Sequence, residues 1–491
     1  MSHLPILQVI VPLISAPICL LLQRPKLVWL FSLFTSALAF IISILLLQQV
    51  MTTGGISYEI GGWEAPWGIE YRIDKLNAFL LLIISAISTT VLIAAQTSIE
   101  KEISKEKQTL FYILYLLSLT GMLGIVSTGD AFNIFVFLEI SSLSAYALIA
   151  LGKDRRALWA SYQYLIMGTI GATFILIGIG LMYQMTGTLN MEDLSQRLPE
   201  VAQTRTVFSA FAFVMVGVCL KLALFPLHFW LPNAYAYAPS IVTAFFAATA
   251  TKVAIYLLIR FTFTVFGLSF SFTTLPLQGL FLLLGLTGIL VASSAAIYQK
   301  NVKHVFAYSS IAQVGYIIVG LSTSTITGLT ATLLHLFNHA LMKSAIFLAL
   351  GAVFYRIGTT QLSGFHGLGR QMPLTMAAIV VGGLSLIGVP LTVGFVSKWY
   401  LLSALIEKGW WPIAVLILLG SVLAVIYVWR IVEAVYFKEP LAGAKPVNEV
   451  PLLFLLPIWG LIIANVYFGI DSRLSVQVAQ SAAENLFGAA Q

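Results

Sequence analysis

Between Leu4 and Ile470 the chain returns about fourteen times to an apolar run, most of them close to 20 residues long. A helix of that length rises about 30 Å, the thickness of a bilayer's hydrocarbon core. The runs cover residues 4–22, 27–49, 74–96, 109–127, 131–151, 163–185, 206–225, 239–262, 275–297, 304–322, 326–355, 374–388 continuing into 394–407, 412–436 and 451–470. A short apolar piece at 225–237 reads as the far half of a broken seventh helix. Charged residues make up 9% of the chain and hydrophobic ones 59%, against about 25% charged in soluble domains. No period-2 alternation of a β-barrel is present, so the expected fold is an all-α polytopic membrane protein. The first run lacks a basic flank and reads as a retained helix. Cys19 and Cys219 fall in different runs and form no metal or redox motif.

Basic residues are divided unequally between alternate loops. With the N-terminus outside, the cytoplasmic loops carry Arg24, Lys26, Lys101, Lys105, Lys107, Lys153, Arg155, Arg156, Lys300, Lys303, Arg356, Arg370, Arg430, Lys438 and Lys445. The opposite side carries Arg72, Lys75, Arg197, Arg205, Arg260, Lys408 and Arg473. This excess predicts both termini outside in a cell membrane, bacterial or archaeal. It also accounts for the net charge of +7 without a nucleic-acid partner. Glu100, Glu102 and Glu106, interspersed with lysines, mark 100–107 as a solvated connector. Asp130 reads as a helix cap or a solvated group.

Inside the runs stand Glu139, Lys221, Lys252, His335, His339, Lys343 and Lys398. Each intramembrane charge costs about 2.5–3.5 kcal/mol on insertion scales, so such residues face a bundle interior and carry function. Snorkelling to the interface fits poorly for Lys221, Lys252 and Lys343, which have at least eight mostly apolar residues on either side. Buried lysines exchange protons readily, and with one glutamate the set reads as a proton path. His335, His339 and Lys343, at i, i+4 and i+8, share one helix face. Two histidines at that spacing also suit a metal, or a satisfied packing role, but the glutamate of an HExxH site is missing. His304, with Ser309 and Ser310 on the same helix, is either a solvated group or a path member. His228 lies between two prolines, lining a break or facing the surface.

Residues 164–189 line up with 335–362, with Gly180 matching Gly351 and Gly187 matching Gly358 at one constant offset of 171. The helix after each segment is interrupted: LKLALFPLHFWLPNA with Lys221, and SLIGVPLTVGFVSKWYL with Lys398. Two inverted five-helix repeats follow, at 109–262 and 275–436, each with a broken helix. Helices 1–3 precede them (1–108), and helix 14 with its tail closes the chain (437–491). Unwound backbone is tolerated at membrane depth where water or protein satisfies it, so each break with its lysine reads as a wet gate.

TGDAFNIFVFLEISSLSAYALIAL, KLALFPLHFWLPNAYAYAPSIVTAFFAATATKVAIYLLIRF, NVKHVFAYSSIAQVGY, LLHLFNHALMKSAIFL and GVPLTVGFVSKWYL occur in this order. With these motifs, over roughly 70–440, the chain resembles the antiporter-like subunits of Mrp-type Na⁺/H⁺ antiporters, membrane-bound hydrogenases and respiratory complex I. It looks most like the D-type subunits of the Mrp antiporters, with lysine and not glutamate on the second broken helix. The resemblance implies that Glu139 pairs with Lys221 as a switch. It also implies that Lys252 links the halves through His335 and that Lys398 ends the line. The implied function is a proton-translocating subunit of a multisubunit Na⁺/H⁺ antiporter, with no cofactor and no metal. Implied partners are other membrane subunits, protons, Na⁺ and the bilayer. The alternatives are a non-redox subunit of complex I or a hydrogenase, and a stand-alone secondary transporter. The chain lacks cysteine clusters, a GxGxxG unit and paired haem ligands of its own.

Overall fold

A computed structural model describes residues 3–22, 24–443 and 446–489. Lys445, counted above among the basic loop residues, lies outside them. α1 (Leu4–Ile18) and α2 (Pro25–Thr53) lead into an antiparallel hairpin, β1 (Ile56–Glu59) and β2 (Glu70–Ile73), with Ile56 opposite Ile73. Among the described residues this hairpin is the one paired strand element in a helical protein. α3 (Lys75–Glu102), α4 (Lys105–Ser127), α5 (Ala131–Ala150) and α6 (Arg156–Thr186) follow. α7 (Met191–Val201) is an amphipathic helix that buries Met191, Leu194 and Leu198; a search for long apolar runs passes over it.

The seventh apolar run is discontinuous. α8 (Arg205–Lys221) and α9 (Trp230–Tyr237) are separated by turns in which Ala223 has φ 58°. α10 (Ser240–Ile259) continues as a π-helical turn to Val265. After α11 (Leu277–Tyr298), α12 (Val302–Ser322), α13 (Ile326–Ile357) and the short α14 (Leu368–Gln371) comes the second break. It separates α15 (Pro373–Ile387) from α16 (Val393–Glu407), with Gly388 at φ 93° and Leu391 at φ 71°. A Cβ on Gly388 would lie 2.9 Å from Lys398 Cδ, so glycine is required there by both its backbone and its neighbour. α17 (Trp411–Val432), α18 (Leu452–Ile470) and the amphipathic α19 (Arg473–Ala489) complete the chain. Pieces broken in this way escape a length criterion, yet twelve helices among the described residues are long and apolar enough to cross a bilayer. The protein is a multi-pass membrane protein.

Burial separates the helices into two classes. In α10 and α12, 94% of the most apolar window is buried inside the protein, whereas in the α17 span it is 33%. The outer helices present Leu, Ile and Phe outward, as lipid requires, and the inner ones carry the ionisable residues. The 171-residue offset recurs in main-chain detail. Ala131 N donates to Leu189 O and Val302 N to Thr360 O; Met191 N donates to Gly129 O and Leu362 N to Lys300 O. Gly187 and Gly358 end α6 and α13 in the left-handed conformation that favours glycine.

Three loop assignments are corrected, one of them Lys303, which lies on α12 and is 3% exposed. Glu102 is not a solvated connector residue: it is 7% exposed and accepts hydrogen bonds from Ser98 and Ser240. Arg260, placed above in a loop, is buried and forms an ion pair with Asp74, while also donating to Asn77 and to the Tyr256 hydroxyl. Hydropathy windows trim helix ends, so charges just inside a bundle look solvated from sequence. Asp130 does cap its helix, accepting from Asn133 N at 2.7 Å. Removing one partner of a buried pair strands the other charge. Arg260→Ala is therefore expected to destabilise the protein by about 3 kcal/mol. In thermal unfolding of the detergent-solubilised protein, adding Asp74→Asn should restore most of that loss. A single variant as stable as wild type would contradict the assignment.

Candidate functional site: a buried line of ionisable residues

Three inner helices supply most of the site. On α13, His335 and His339 are stacked with ring centroids 6.2 Å apart and planes 9° apart. His335 is bonded at both nitrogens, Nε2 to Gln313 Oε1 at 2.8 Å and Nδ1 to Ser397 Oγ at 2.9 Å. The Gln313 carbonyl oxygen only accepts, so in the neutral imidazole Nε2 donates to it and Nδ1 accepts from the serine, while in the imidazolium both nitrogens donate. His339, fully buried, has no hydrogen-bond partner at either nitrogen among the described residues. Lys343, one turn further on, donates to Phe306 O at 2.7 Å and to the Ser309 hydroxyl, both on α12. Lys252 of α10, a helix packed against α13, donates to Ala247 O at 2.6 Å.

The second break holds Lys398. Its Nζ donates to Leu386 O at 2.9 Å, Ile387 O at 2.8 Å and Ser421 Oγ at 2.9 Å, and it lies 4.6 Å from the Tyr316 ring centroid. Ending α15 at Ile387 leaves carbonyls without intrahelical donors, and an ammonium at that negative end of the helix satisfies them. Ser397, adjacent in sequence, carries the connection to His335.

The first break is built differently. Lys221 closes the last turn of α8, and its Nζ donates to Ser142 Oγ at 2.8 Å. The freed carbonyl of Leu220 is met instead by Trp230 Nε1 at 3.0 Å, and Trp230 stacks on Tyr164 at 4.0 Å. The direct Glu139–Lys221 pair implied by the resemblance is not formed: among the described residues no ion pair within 4.0 Å joins them. Ser142, one turn along α5 from Glu139, takes the ammonium, and Glu139 Oε1 is buried without a partner. At the 171-residue offset Ser142 corresponds to Gln313, the partner of His335, and Glu139 to Ser310.

The arrangement thus gathers His335, His339, Lys343, Lys252 and Lys398 around α12 and α13, and leaves Glu139 and Lys221 at the first break. His304 Nε2 lies 3.3 Å from Asn233 Oδ1, and His228 is stacked between Phe225 and Phe229, away from the line. Ser142, Gln313, Ser397 and Ser421 were not singled out from sequence. The available signal was their helical spacing from the charged residues. Among the described residues no cluster of three His, Cys, Asp or Glu side chains could hold a metal.

Residues 128–424, which include every residue of this line, match the family described as "NADH:quinone oxidoreductase/Mrp antiporter, TM". The chain belongs to this family. Among this membrane family's curated proteins, the N subunit of the NADH-quinone oxidoreductase of Desulforudis audaxviator is 41% identical over 455 residues, 92% of this chain and 90% of the relative. The D subunit of the Na(+)/H(+) antiporter of Bacillus subtilis is 30% identical over 487 residues, 99% of this chain and 97% of the relative. Among solved structures, a chain of the membrane-bound sulfane sulfur reductase, an archaeal respiratory membrane complex, superposes with a TM-score of 0.90 at 32% identity. That match covers 99% of this chain and 98% of the other.

Proposed function

We propose that this chain is a proton-translocating subunit of a multisubunit Na⁺/H⁺ antiporter in a bacterial or archaeal cell membrane, with both termini outside. It is an ion-transporting subunit and not a catalytic enzyme. The observation that carries the reading is the placement of Lys398, His335, His339 and Lys343 in a bundle interior closed to lipid: Ser397, next to Lys398 in the chain, bonds His335, His335 stacks on His339, and Lys343 lies one helical turn beyond His339. Each member alternates between protonated and neutral forms without leaving its helix. His339 has both nitrogens free to receive a proton from one neighbour and hand it to the next. An orphaned buried polar group costs about 1–3 kcal/mol, a cost understandable at a transfer point.

The two broken helices and the repeated main-chain bonds at the 171-residue offset support the inverted-repeat reading, with repeats at 109–262 and 275–436. The lengthwise similarity to the Bacillus subtilis antiporter protein supports a cation/proton antiporter as host. A second reading, a non-redox proton-pumping subunit of a respiratory complex, is favoured by the 41% identity to the Desulforudis audaxviator relative. Either host supplies further membrane subunits, and the chain's role in proton transfer is the same.

Purification of the complex under gentle detergent separates the hosts. We expect small hydrophobic partners only, with proton movement in proteoliposomes that depends on added Na⁺. Co-purified iron–sulfur subunits, with proton movement that depends on an electron donor and not on Na⁺, would reject the antiporter host. Exchange by the chain alone would reject both.

A further inference from the structure

A cleft of about 140 Å³ opens on the basic face, between the end of α3, the loop after α5, the start of α12 and the end of α13. Glu102, Asp154, Arg156, Tyr237, Lys303 and Thr360 are among its lining residues. Most of its charges are already committed. Asp154 and Arg156 form an ion pair at 2.5 Å, Arg156 lies over the Tyr237 ring, and Lys153 donates to Lys101 O. Glu102 and Lys303 are different, being 7% and 3% exposed at the inner end of the cleft.

These two groups share one hydroxyl. Lys303 Nζ donates to Ser240 Oγ at 3.3 Å, and that hydroxyl donates to Glu102 Oε2 at 3.2 Å. Ser240 N also donates to the same carboxylate oxygen at 3.0 Å, and Ser98 Oγ donates to Oε1 at 2.6 Å. The Lys303 ammonium also donates to Ala238 O at 3.4 Å and lies 5.5 Å from the Phe354 ring centroid. No ion pair within 4.0 Å joins Glu102 and Lys303 among the described residues. A carboxylate and an ammonium joined through an O–H oriented from one to the other form a chain along which a proton passes by successive hops.

Its inner end points along α12. Six residues beyond Lys303, roughly 9 Å of helical rise, Ser309 accepts from Lys343. Four more bring Gln313, which holds His335. Phe306, one turn beyond Lys303 on α12, also accepts from Lys343 through its carbonyl, so the helix carries Lys343's contacts within one to two turns of Lys303.

We propose that Glu102, Ser240 and Lys303 form the inlet through which protons from the basic face reach Lys343, an inference that rests on the proton-line reading above. Glu102 takes a proton from water in the cleft. With Glu102 protonated and Lys303 neutral, the Ser240 hydroxyl turns to donate to the Lys303 amine. The carboxyl proton moves to Oγ as the hydroxyl proton moves to Nζ, and Lys303 releases its proton along α12 to the amine of Lys343. The competing role is structural: the carboxylate satisfies a free N–H at the start of α10 and stabilises that helix end.

The test uses the assembled complex in proteoliposomes and measures initial exchange rates across pH for wild type, Glu102→Gln, Lys303→Met, Lys303→Arg and Lys221→Ala. Co-purification of partner subunits monitors assembly. An inlet carboxylate matters most when protons are scarce. Glu102→Gln should therefore lose about tenfold at the alkaline end and approach wild type at the acid end. Lys303→Arg keeps the charge but never gives up its proton, so it should be as slow as Lys303→Met. Rescue by Lys303→Arg, or a Glu102→Gln loss equal at every pH, overturns the inlet in favour of the structural role. Where a Lys303 variant fails to assemble, the Glu102→Gln profile decides. Wild-type rates in the Glu102 and Lys303 variants with an inactive Lys221→Ala reject the inlet and leave the line standing. An active Lys221→Ala rejects the proton-relay reading on which the inlet rests.

Discussion

Lys221→Ala is expected to abolish exchange by the assembled complex, a loss of at least about 100-fold, without loss of assembly. Lys221 sits where α8 stops, 8% exposed, with its Nζ on Ser142 and no carboxylate within ion-pair distance. Its replacement removes a buried methylene stem but breaks no ion pair, so no partner charge is left stranded and assembly is retained. Glu139, one turn from Ser142 on α5, has its Oε1 buried and unbonded. The Ser142 hydroxyl is the one hydrogen-bond partner of the ammonium among the described residues. Ser142→Ala should then cut exchange by about tenfold, a smaller effect than Lys221→Ala, because water replaces a hydroxyl more readily than an ammonium. Both are read as initial rates of cation-dependent proton movement, with subunit co-purification as the control. Exchange at the wild-type rate in Lys221→Ala would sink the relay reading.

The charged members of this line were legible in the sequence because hydrocarbon makes them conspicuous. A lysine inside LKLALF or TATKVAIYL has no cheap explanation, and proline beside it marks the break. Their partners were not legible. Ser142, Ser397, Ser421 and Gln313 are residue types that transmembrane helices accommodate by bonding their own backbone, so nothing in composition distinguishes the ones that hold a lysine or a histidine. Which residue faces which depends on packing between α5 and α8 and between α12 and α13, a long-range property. Arg260 and Glu102 were misassigned for another reason: they lie at the ends of apolar runs, where buried and solvated charges share one hydropathy profile. α7, α19 and the β1–β2 hairpin escaped notice because their patterns are short and half polar. The alignment at an offset of 171 was visible through Gly187 and Gly358. Their left-handed conformations, with the paired main-chain bonds beside them, give that match a physical reason it lacked as sequence alone.

Lys398→Glu is the second substitution with a large expected effect, because it sets helix-end electrostatics against the family likeness that makes glutamate look tolerable there. The Nζ of Lys398 donates to two main-chain carbonyls, Leu386 O and Ile387 O, at the C-terminal end of α15. That end carries about half a negative charge, so an ammonium is stabilised and a carboxylate is repelled by typically 0.3–1 kcal/mol, more when partly buried. A carboxylate also has nothing to donate, and both carbonyls lose the bonds they had. Only the protonated acid offers a donor, and it offers one where lysine offered three. Exchange by Lys398→Glu should therefore be lower than wild type by about tenfold or more at neutral pH. It should rise as the pH falls and the acid form accumulates, the opposite trend to a simple loss of driving force. Lys398→Met, which donates nothing at any pH, should stay low throughout and separates the acid recovery from a general effect of pH. The pH profiles of the two variants, measured on the same assembled complex, decide the matter. A Lys398→Glu profile parallel to that of Lys398→Met would mean that the carbonyl contacts hold the lysine in place without taking part in proton transfer. Recovery confined to the glutamate variant would mean that the bonds to Leu386 and Ile387 are where the line ends, and that the break in α15–α16 serves to free those carbonyls.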